Sequence, residues 1–474
     1  MNTDIQLLKI KKVAEQYHER YRAQMDLLEN KSVLAKVKGS IDYYDVFALG
    51  KQLEQFEFYK ALCEEQGNVN LLGKLPDVAF DVITAVHGAS IIPVVASVQP
   101  IEEERGTIYF KNVRSANTKG SQTAGNVVVD PRQQVVTPQG YASNLLAGVS
   151  AGLTVAAQLV YNLSLAAFPI KSQSLIVMLG TTAIQGKDIG PAGPSTAHIG
   201  QIWGSGVSGT INYLTGALSL TFAADPGAGV DIFVTYQQNY ELSSDLPQID
   251  TFFDSKGIFA QVYALKGTIG MLQSYGMSKR FGMVAEDELA KDLVQEINRE
   301  IGGDLIRKLK ASAPGAPVVF SRTAPAGVSY FEHKQTYKDK LAEAEKNLVA
   351  TAGRGSISLL IVGKTHAQTI QTLPGFQKMY DGNSLGAHVF GTLDGMIIVR
   401  VTESSILGDE EGLAVWKGLS PFEAAAVYSP FMPLAVTGTL PQAPNPLNSM
   451  KAAAVWAGVE SVVPNFVTKF NTSA

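Results

Sequence analysis

Between Gln133 and Tyr240 the chain almost runs out of charge. The only ionic side chains there are Lys171, Lys187, Asp188, Asp225 and Asp231, set among Gly, Ser, Thr, Val, Ile and Leu. This composition marks a module distinct from both flanks. Within it, "GTINYLTGALSLTFAADPGAGVDIFVTYQQNYE" alternates apolar and small polar residues, with "LTGA" and "DPGAG" as turns. Period-two alternation punctuated by tight turns predicts antiparallel strands, so 133–245 reads as an inserted all-β domain, a sandwich or small barrel.

The rest of the composition sets bounds. A chain of 474 residues can bury large cores and form two or three domains. Charged residues are 17% of the whole, below the ~25% usual for globular domains, and the inserted module accounts for the deficit. A net charge of -4 gives no electrostatic footprint for gripping nucleic acid. Cys63 is the only cysteine and cannot form an internal disulfide. The start, "MNTDIQLLKIKK", lacks the apolar core of a signal peptide, so synthesis in a reducing cytoplasm is expected. Gly, Ser, Gln and Asn interrupt the most apolar stretch, "GYASNLLAGVSAGLTVAAQLVYNLSLAAF", and no membrane span is expected.

Around the module the chain is mixed α and β. Residues 1–69 read as an N-terminal helical arm, with Leu27, Leu28, Leu34, Phe47, Leu53, Phe56 and Tyr59 in stripes between charged faces. From Asn70 a helix-like segment leads to a strand, the charged turn Glu102, Glu103, Glu104, Arg105, and another strand. Most such turns are merely solvated; contact with a neighbouring molecule is the sharper alternative. After the module, "GIFAQVYALKGTIGMLQSYG" reads as strand, and 278–310 as a long helix with Leu289, Leu293, Ile297, Ile301, Leu305 and Leu309 every four residues. Gly302 and Gly303 each weaken it by roughly 1 kcal/mol relative to Ala, and a bend is expected there. A Pro/Gly-rich connection over 314–330 precedes a helix over 335–351 presenting Tyr337, Leu341, Ala344 and Leu348. "SISLLIVGKTHAQTIQTL" then reads as strand and helix, and further strands end the chain.

Several motifs imitate chemistry without its context. Gly204, Gly206 and Gly209 have dinucleotide-loop spacing, but strand-like sequence follows where a helix should begin. "VGKT" at 362–365 follows a strand and opens a helix, yet Ser358 stands where a phosphate loop needs its first glycine, so Lys364 reads as a surface residue. His18, His87, His198, His333, His366 and His388 lack ligand spacing or a cysteine partner, and Cys63 lacks a nearby histidine. No catalytic, cofactor-binding or metal-ligating set is assigned, no cofactor is expected, and the chain is not read as an enzyme.

Four fragments, taken in order, carry a resemblance. They are "VQPIEEERGTIYFKNVRS", "DELAKDLVQEINREI" ending in Asn298, Arg299 and Glu300, "TAGRGSISLLIVGK", and "WKGLSPFEAAAVYSPFMPL". Together they resemble the T-even-like (myovirus) family of tailed-phage major capsid proteins. The resemblance implies an α+β, HK97-type capsid fold with an inserted all-β domain. Its parts would be an N-terminal arm (1–69), the peripheral-domain start and extended loop (70–132), the insertion (133–245), the loop return and spine helix (246–313), an axial domain with peripheral strands (314–440) and C-terminal strands (441–474).

It further implies a shell protein that self-assembles as hexamers into an icosahedral head around double-stranded DNA, without sequence-specific binding. Vertex, portal and decoration proteins would be its partners, the virion its location and the host bacterial cytoplasm its place of assembly. Glu102, Glu103, Glu104 and Arg105 are the candidate inter-subunit contacts. Leu62, Cys63 and Glu64 fit the family's apolar-x-Glu maturation site, which would place cleavage after Glu64, whereas the chain read from Met1 keeps the arm. The alternatives are a pentameric vertex protein of the same fold, an encapsulin-like shell, and, from another class, an extracellular β-rich adhesin or surface-layer protein.

Overall fold

The computed structural model describes residues 2–31, 41–65, 90–118, 123–130, 142–180, 183–191, 193, 198–243, 246–379, 386–418, 423–437, 439–441 and 447–473. Two compact units result: Met1–Phe110 with Pro131–Gln134 and Asp254–Ala474, and Lys111–Asp130 with Val135–Phe253. Leu34, His87 and the helix expected after Asn70 lie outside the described residues.

The first unit opens with helices α1 (Asn2–Arg20), α2 (Arg22–Lys31) and α3 (Tyr43–Glu65). The expected arm has a small core of its own, in which Tyr17, Tyr21, Met25 and Leu28 meet Leu49, Leu53 and Phe56. Gly50 lets the Tyr17 ring lie on α3, since a Cβ there would stand 2.4 Å from Tyr17 Cγ. Tyr17 Oη donates to Glu54 Oε2 at 2.7 Å. A single turn, α4 (Ile92–Val95), and the short strand β1 (Ser97–Val98) follow.

Strands β2 (Arg105–Ser115) and β12 (Ile249–Phe259) pair and carry the chain out of this unit and back, with β3 (Val127–Val129) beside β2. The second unit's strands are β4 (Leu145–Leu153), β5 (Val160–Ser164), β6 (Ile176–Leu179), β7 (Ala183–Pro191), β8 (Ile199–Trp203), β9 (Val207–Asn212), β10 (Ala217–Phe222) and β11 (Asp231–Gln237). They form an eight-stranded antiparallel sheet in the order β4-β11-β6-β7-β8-β9-β10-β5. The ends of that order approach each other, where a Cβ on Gly152 of β4 would stand 3.1 Å from Leu163 of β5. Burial alternates along β11 and β10, as a sheet with one dry face requires. Ile202, Ile211, Leu220, Ile232 and Val234 lie at the centre of its core. The turns form where expected, with Gly216, Gly227 and Gly229 in the left-handed region.

Back in the first unit come β13 (Gln261–Gly270), α5 (Met271–Phe281), α6 (Ala285–Ser312), β14 (Val318–Ser321), α7 (Tyr330–Ala352), β15 (Leu359–Val362), α8 (Lys364–Gln371) and β16 (Phe376–Lys378). The remaining strands are β17 (Ala387–Leu393), β18 (Met396–Val401), β19 (Gly412–Val415), β20 (Ala426–Val436), β21 (Leu440–Pro441), β22 (Asn448–Ser461) and β23 (Val467–Ser473). Two sheets organise them. One runs β1-β20-β22-β13, with β21 also on β22; the other is seven-stranded, β14-β23-β19-β15-β18-β17-β16.

Helix α6 lies across β22 and β13. Leu293, Ile297, Ile301, Leu305 and Leu309 are buried as the spacing predicts. Val294 and Ile306 join them, because a four-residue repeat on a 3.6-residue helix drifts onto neighbouring positions. The helix differs from its sequence reading in two ways. Gly282, left-handed at φ 67°, ends α5, so 271–281 is a separate helix rather than the end of a strand. The α6 helix also runs unbroken through Gly302 and Gly303. Both glycines are buried, and a Cβ on Gly303 would stand 2.9 Å from Ile406 Cδ1. Close packing, not a break, accounts for the pair.

In the second sheet β15 is buried at every residue. The Pro/Gly-rich connection contains β14, which pairs in parallel with β23, a partner about 150 residues away in sequence and so invisible to local patterning. The α7 helix buries Tyr337, Leu341, Ala344 and Leu348 as expected.

Candidate assembly surfaces

Three of the four sequence fragments lie wholly in the first unit, and the remaining one, 98–115, begins there. The turn Gly353-Arg354-Gly355 ends α7, with both glycines in the left-handed region. Gly355 also admits the Trp416 ring, since a Cβ there would stand 2.5 Å from Trp416 Cδ2. Arg354 lies 5.4 Å over that ring and donates to Glu423 Oε1 at 2.9 Å. Trp416 packs edge-on against Phe466 at 4.4 Å. The Gly-Arg-Gly fragment and the "WKG…FE" fragment are thus two halves of one contact. Lys417 Nζ donates to the carbonyls of Pro93 and Ala96, the latter at 2.9 Å, capping α4. The first fragment continues β1 along β20, with Gln99 N donating to Tyr428 O at 2.8 Å and Ile101 N to Pro430 O at 3.1 Å. In the α6 fragment, Arg299 pairs with Glu296 and reaches Glu403 at 3.4 Å.

The most deeply buried polar pair joins α7 and α8. Tyr337 Oη and His366 Nε2 share a hydrogen bond of 2.8 Å, and both rings pack edge-on against Phe470 of β23 at 5.1 and 5.4 Å. Complete burial pushes His366 down to about 3, so the ring stays neutral. Burial also raises Tyr337 well above the ordinary phenol range. A Cβ on Gly412 would stand 2.7 Å from His366 Nδ1, leaving no room for a substrate. This histidine is a packed joint, not a catalytic base.

The sequence decoys resolve structurally. Gly363 caps α8, and the amides of Thr365 and His366, where a phosphate would sit, both donate to Asp409 O at 3.0 Å. Lys364 is a surface residue paired with Asp409 at 3.3 Å. Gly204 and Gly206 form the turn between β8 and β9, and a Cβ on Gly204 would overlap Gln185 O at 1.8 Å. In the second unit, buried Asp188 accepts from Tyr213 Oη at 2.8 Å, Gly190 N at 2.9 Å and Gln173 N at 2.7 Å. Sequence reading passed over that network. The signal was present, since Asp188 is one of few acids in an otherwise uncharged module. Among the described residues no group of three His, Cys, Asp or Glu could hold a metal, and no helix is long and apolar enough to cross a membrane.

Glu102, Glu103, Glu104 and Arg105 are all exposed. Lys51 reaches Glu102 at 3.3 Å, and Arg105 lies 5.3 Å over the Phe259 ring. Glu64 falls in the last turn of α3. Sequence reading missed α5, which has no buried residue although it carries Met271, Leu272, Tyr275 and Phe281, all exposed.

The signature residues of the first unit pack against one another, and α5 leaves large apolar side chains exposed. The family model for the major capsid protein Gp23 matches residues 73–455, and the chain belongs to that family. Its fold is α+β with an all-β second unit, and by that family it is a major capsid protein. Among solved structures, the chain is similar to one from Mycobacterium phage Che8 (16% identity, 48% of this chain and 76% of that one, TM-score 0.31). It is also similar to the capsid of Myoviridae phage XM1 (9% identity, 50% and 81%, TM-score 0.32). A third likeness is to the head structure of Helicobacter pylori bacteriophage KHP40 (10% identity, 50% and 79%, TM-score 0.31). No curated protein matches the sequence.

Proposed function

We propose that copies of this chain form hexamers in an icosahedral lattice that encloses double-stranded DNA, with no catalytic step of their own. The observation carrying this reading is the capsid-family match from 73 to 455, which takes in most of both sheets of the first unit, all but β23 and the end of β22. The exposed apolar face of α5 supports it, because such a face gains by burial against a neighbour. The net charge of -4 suits a wall that surrounds DNA without gripping it.

Vertex and portal proteins occupy the positions where hexamers cannot close, decoration proteins add to the outside, and assembly takes place in the host bacterial cytoplasm. The division into arm (1–69), extended loop, inserted domain, spine helix and axial domain belongs to the same proposal, as does maturation cleavage after Glu64. Expression of the chain alone followed by negative-stain imaging tests it. Closed shells of six-fold capsomers are expected; isolated five-fold rings would reassign the chain to the vertices, and persistent soluble monomers would refute the reading. Mass spectrometry of shells from infected cells decides the cleavage, with an amino terminus at Glu65 expected after processing and one at Met1 without it.

A further inference from the structure

Two surfaces of the first unit complement each other but lie at opposite ends of one strand. At the far end of β13, Gly270 leads directly into α5. On that helix Leu272 is 88% exposed, Phe281 69% and Tyr275 64%. Its last turn carries Lys279 and Arg280, and neither forms an ion pair among the described residues. The nearby acids are engaged elsewhere: Asp287 with Lys451 at 3.5 Å, Glu288 with Lys291 at 3.0 Å, and Glu286 with the Ser274 hydroxyl at 3.2 Å. The α5 helix is therefore apolar, cationic and uncovered.

At the near end of β13 stands the reverse. Glu103 and Glu104 are exposed and form no ion pair among the described residues. The Ala260 amide donates to Glu104 O at 3.0 Å, which pins the acidic turn to the start of the strand. Beside it Phe259 and Val262 are both more than half exposed. Arg105 is held over the Phe259 ring, so its cation forms part of that floor.

Strand β13 is paired to β22 without interruption from Gln261↔Ala457 to Gly270↔Asn448. At ~3.3 Å per residue the two surfaces are about 30 Å apart and cannot meet within one chain. We propose that α5 of one copy docks on the acidic turn and the Phe259–Val262 surface of the next. Leu272, Tyr275 and Phe281 cover that apolar floor while Lys279 and Arg280 pair with Glu103 and Glu104. Such a contact is head-to-tail, the kind that builds rings from identical copies. The inference rests on the shell-forming reading and adds the surfaces that meet.

Charge reversal tests it on the full chain. Lys279→Glu with Arg280→Glu, and separately Glu103→Lys with Glu104→Lys, should each lower the yield of sedimenting shells more than about ten-fold, because like charges would then face each other. All four substitutions are exposed, so circular dichroism and melting of the soluble protein should stay as in the parent. The quadruple reversal should restore the yield to within about two-fold of the parent, since opposite charges meet again. Parental yields from both double reversals, or a folded quadruple variant that still fails to assemble, would overturn the inference. A parent chain that forms no shells would instead sink the shell-forming reading itself, so the two failures are distinguishable.

Discussion

The two compact units solve the problem of burying apolar surface differently. The second unit does so with one local rule: antiparallel strands alternate, and each pairs mostly with a neighbour close in sequence. On its interior strand β7, the buried Asp188 accepts from three donors. The first unit relies on distant partners. The β14–β23 and β1–β20 pairings, the Trp416–Arg354–Glu423 contact and the Tyr337–His366–Phe470 joint each bring together residues far apart in the chain. A module of mainly local pairings can be inserted or removed as a block, whereas a frame of distant pairings succeeds or fails as a whole.

That difference can be tested by asking whether damage stays within one unit. The largest effect is expected from Phe470→Ala, which opens a cavity at the buried joint. It should cost about 3–5 kcal/mol and lower the melting transition of the first unit alone. Asp188→Ala should cost about 1–3 kcal/mol by removing the acceptor of the Tyr213 hydroxyl and of the buried Gly190 amide, and should act only on the second unit. Calorimetry on each variant checks both, and a matching shift of both transitions by either variant would erase the distinction.

Acid should also act on the first unit through His366. Its folded value of about 3 lies below the ordinary 6.5, so between those limits the unfolded chain binds the extra proton. The contribution is complete above about pH 6.5 and is lost as pH falls toward 3. His366→Gln should flatten that part of the stability-versus-pH curve, as followed by denaturant titration. The smallest effect is expected from Lys364→Ala, whose pair with Asp409 is solvent-exposed and screened, so the denaturation midpoint should stay within error of the parent's.

The same contrast explains what could be read in advance. Strands and turns of the inserted module were legible because period two and left-handed glycines are local signals, and so was the buried stripe of α6. The β14 strand was hidden in a Pro/Gly-rich stretch because only β23 makes it a strand. The α5 helix was masked because its apolar residues, uncovered in the single chain, resemble a strand's. Gly302 and Gly303 looked like weak points since sequence reveals their helix propensity but not Ile406 beside them. Of the proposed assembly surface, Glu102, Glu103, Glu104 and Arg105 were legible as a charged turn. Their complement on α5 was not, because complementarity between surfaces about 30 Å apart requires coordinates.

The central claim is that the first unit builds the shell and the β-module is an addition to it. Entry and exit of the module adjoin, with Leu145 opposite Gln237 and Gln238 N donating to Asn144 O at 2.7 Å. Residues 145–237 can therefore be replaced by a short Gly-Ser linker without stretching the chain. Electron microscopy of that variant is the most direct test. Closed shells, less stable or larger than the parent's, are expected. A variant that stays monomeric or aggregates, under conditions where the parent forms shells, would contradict the claim.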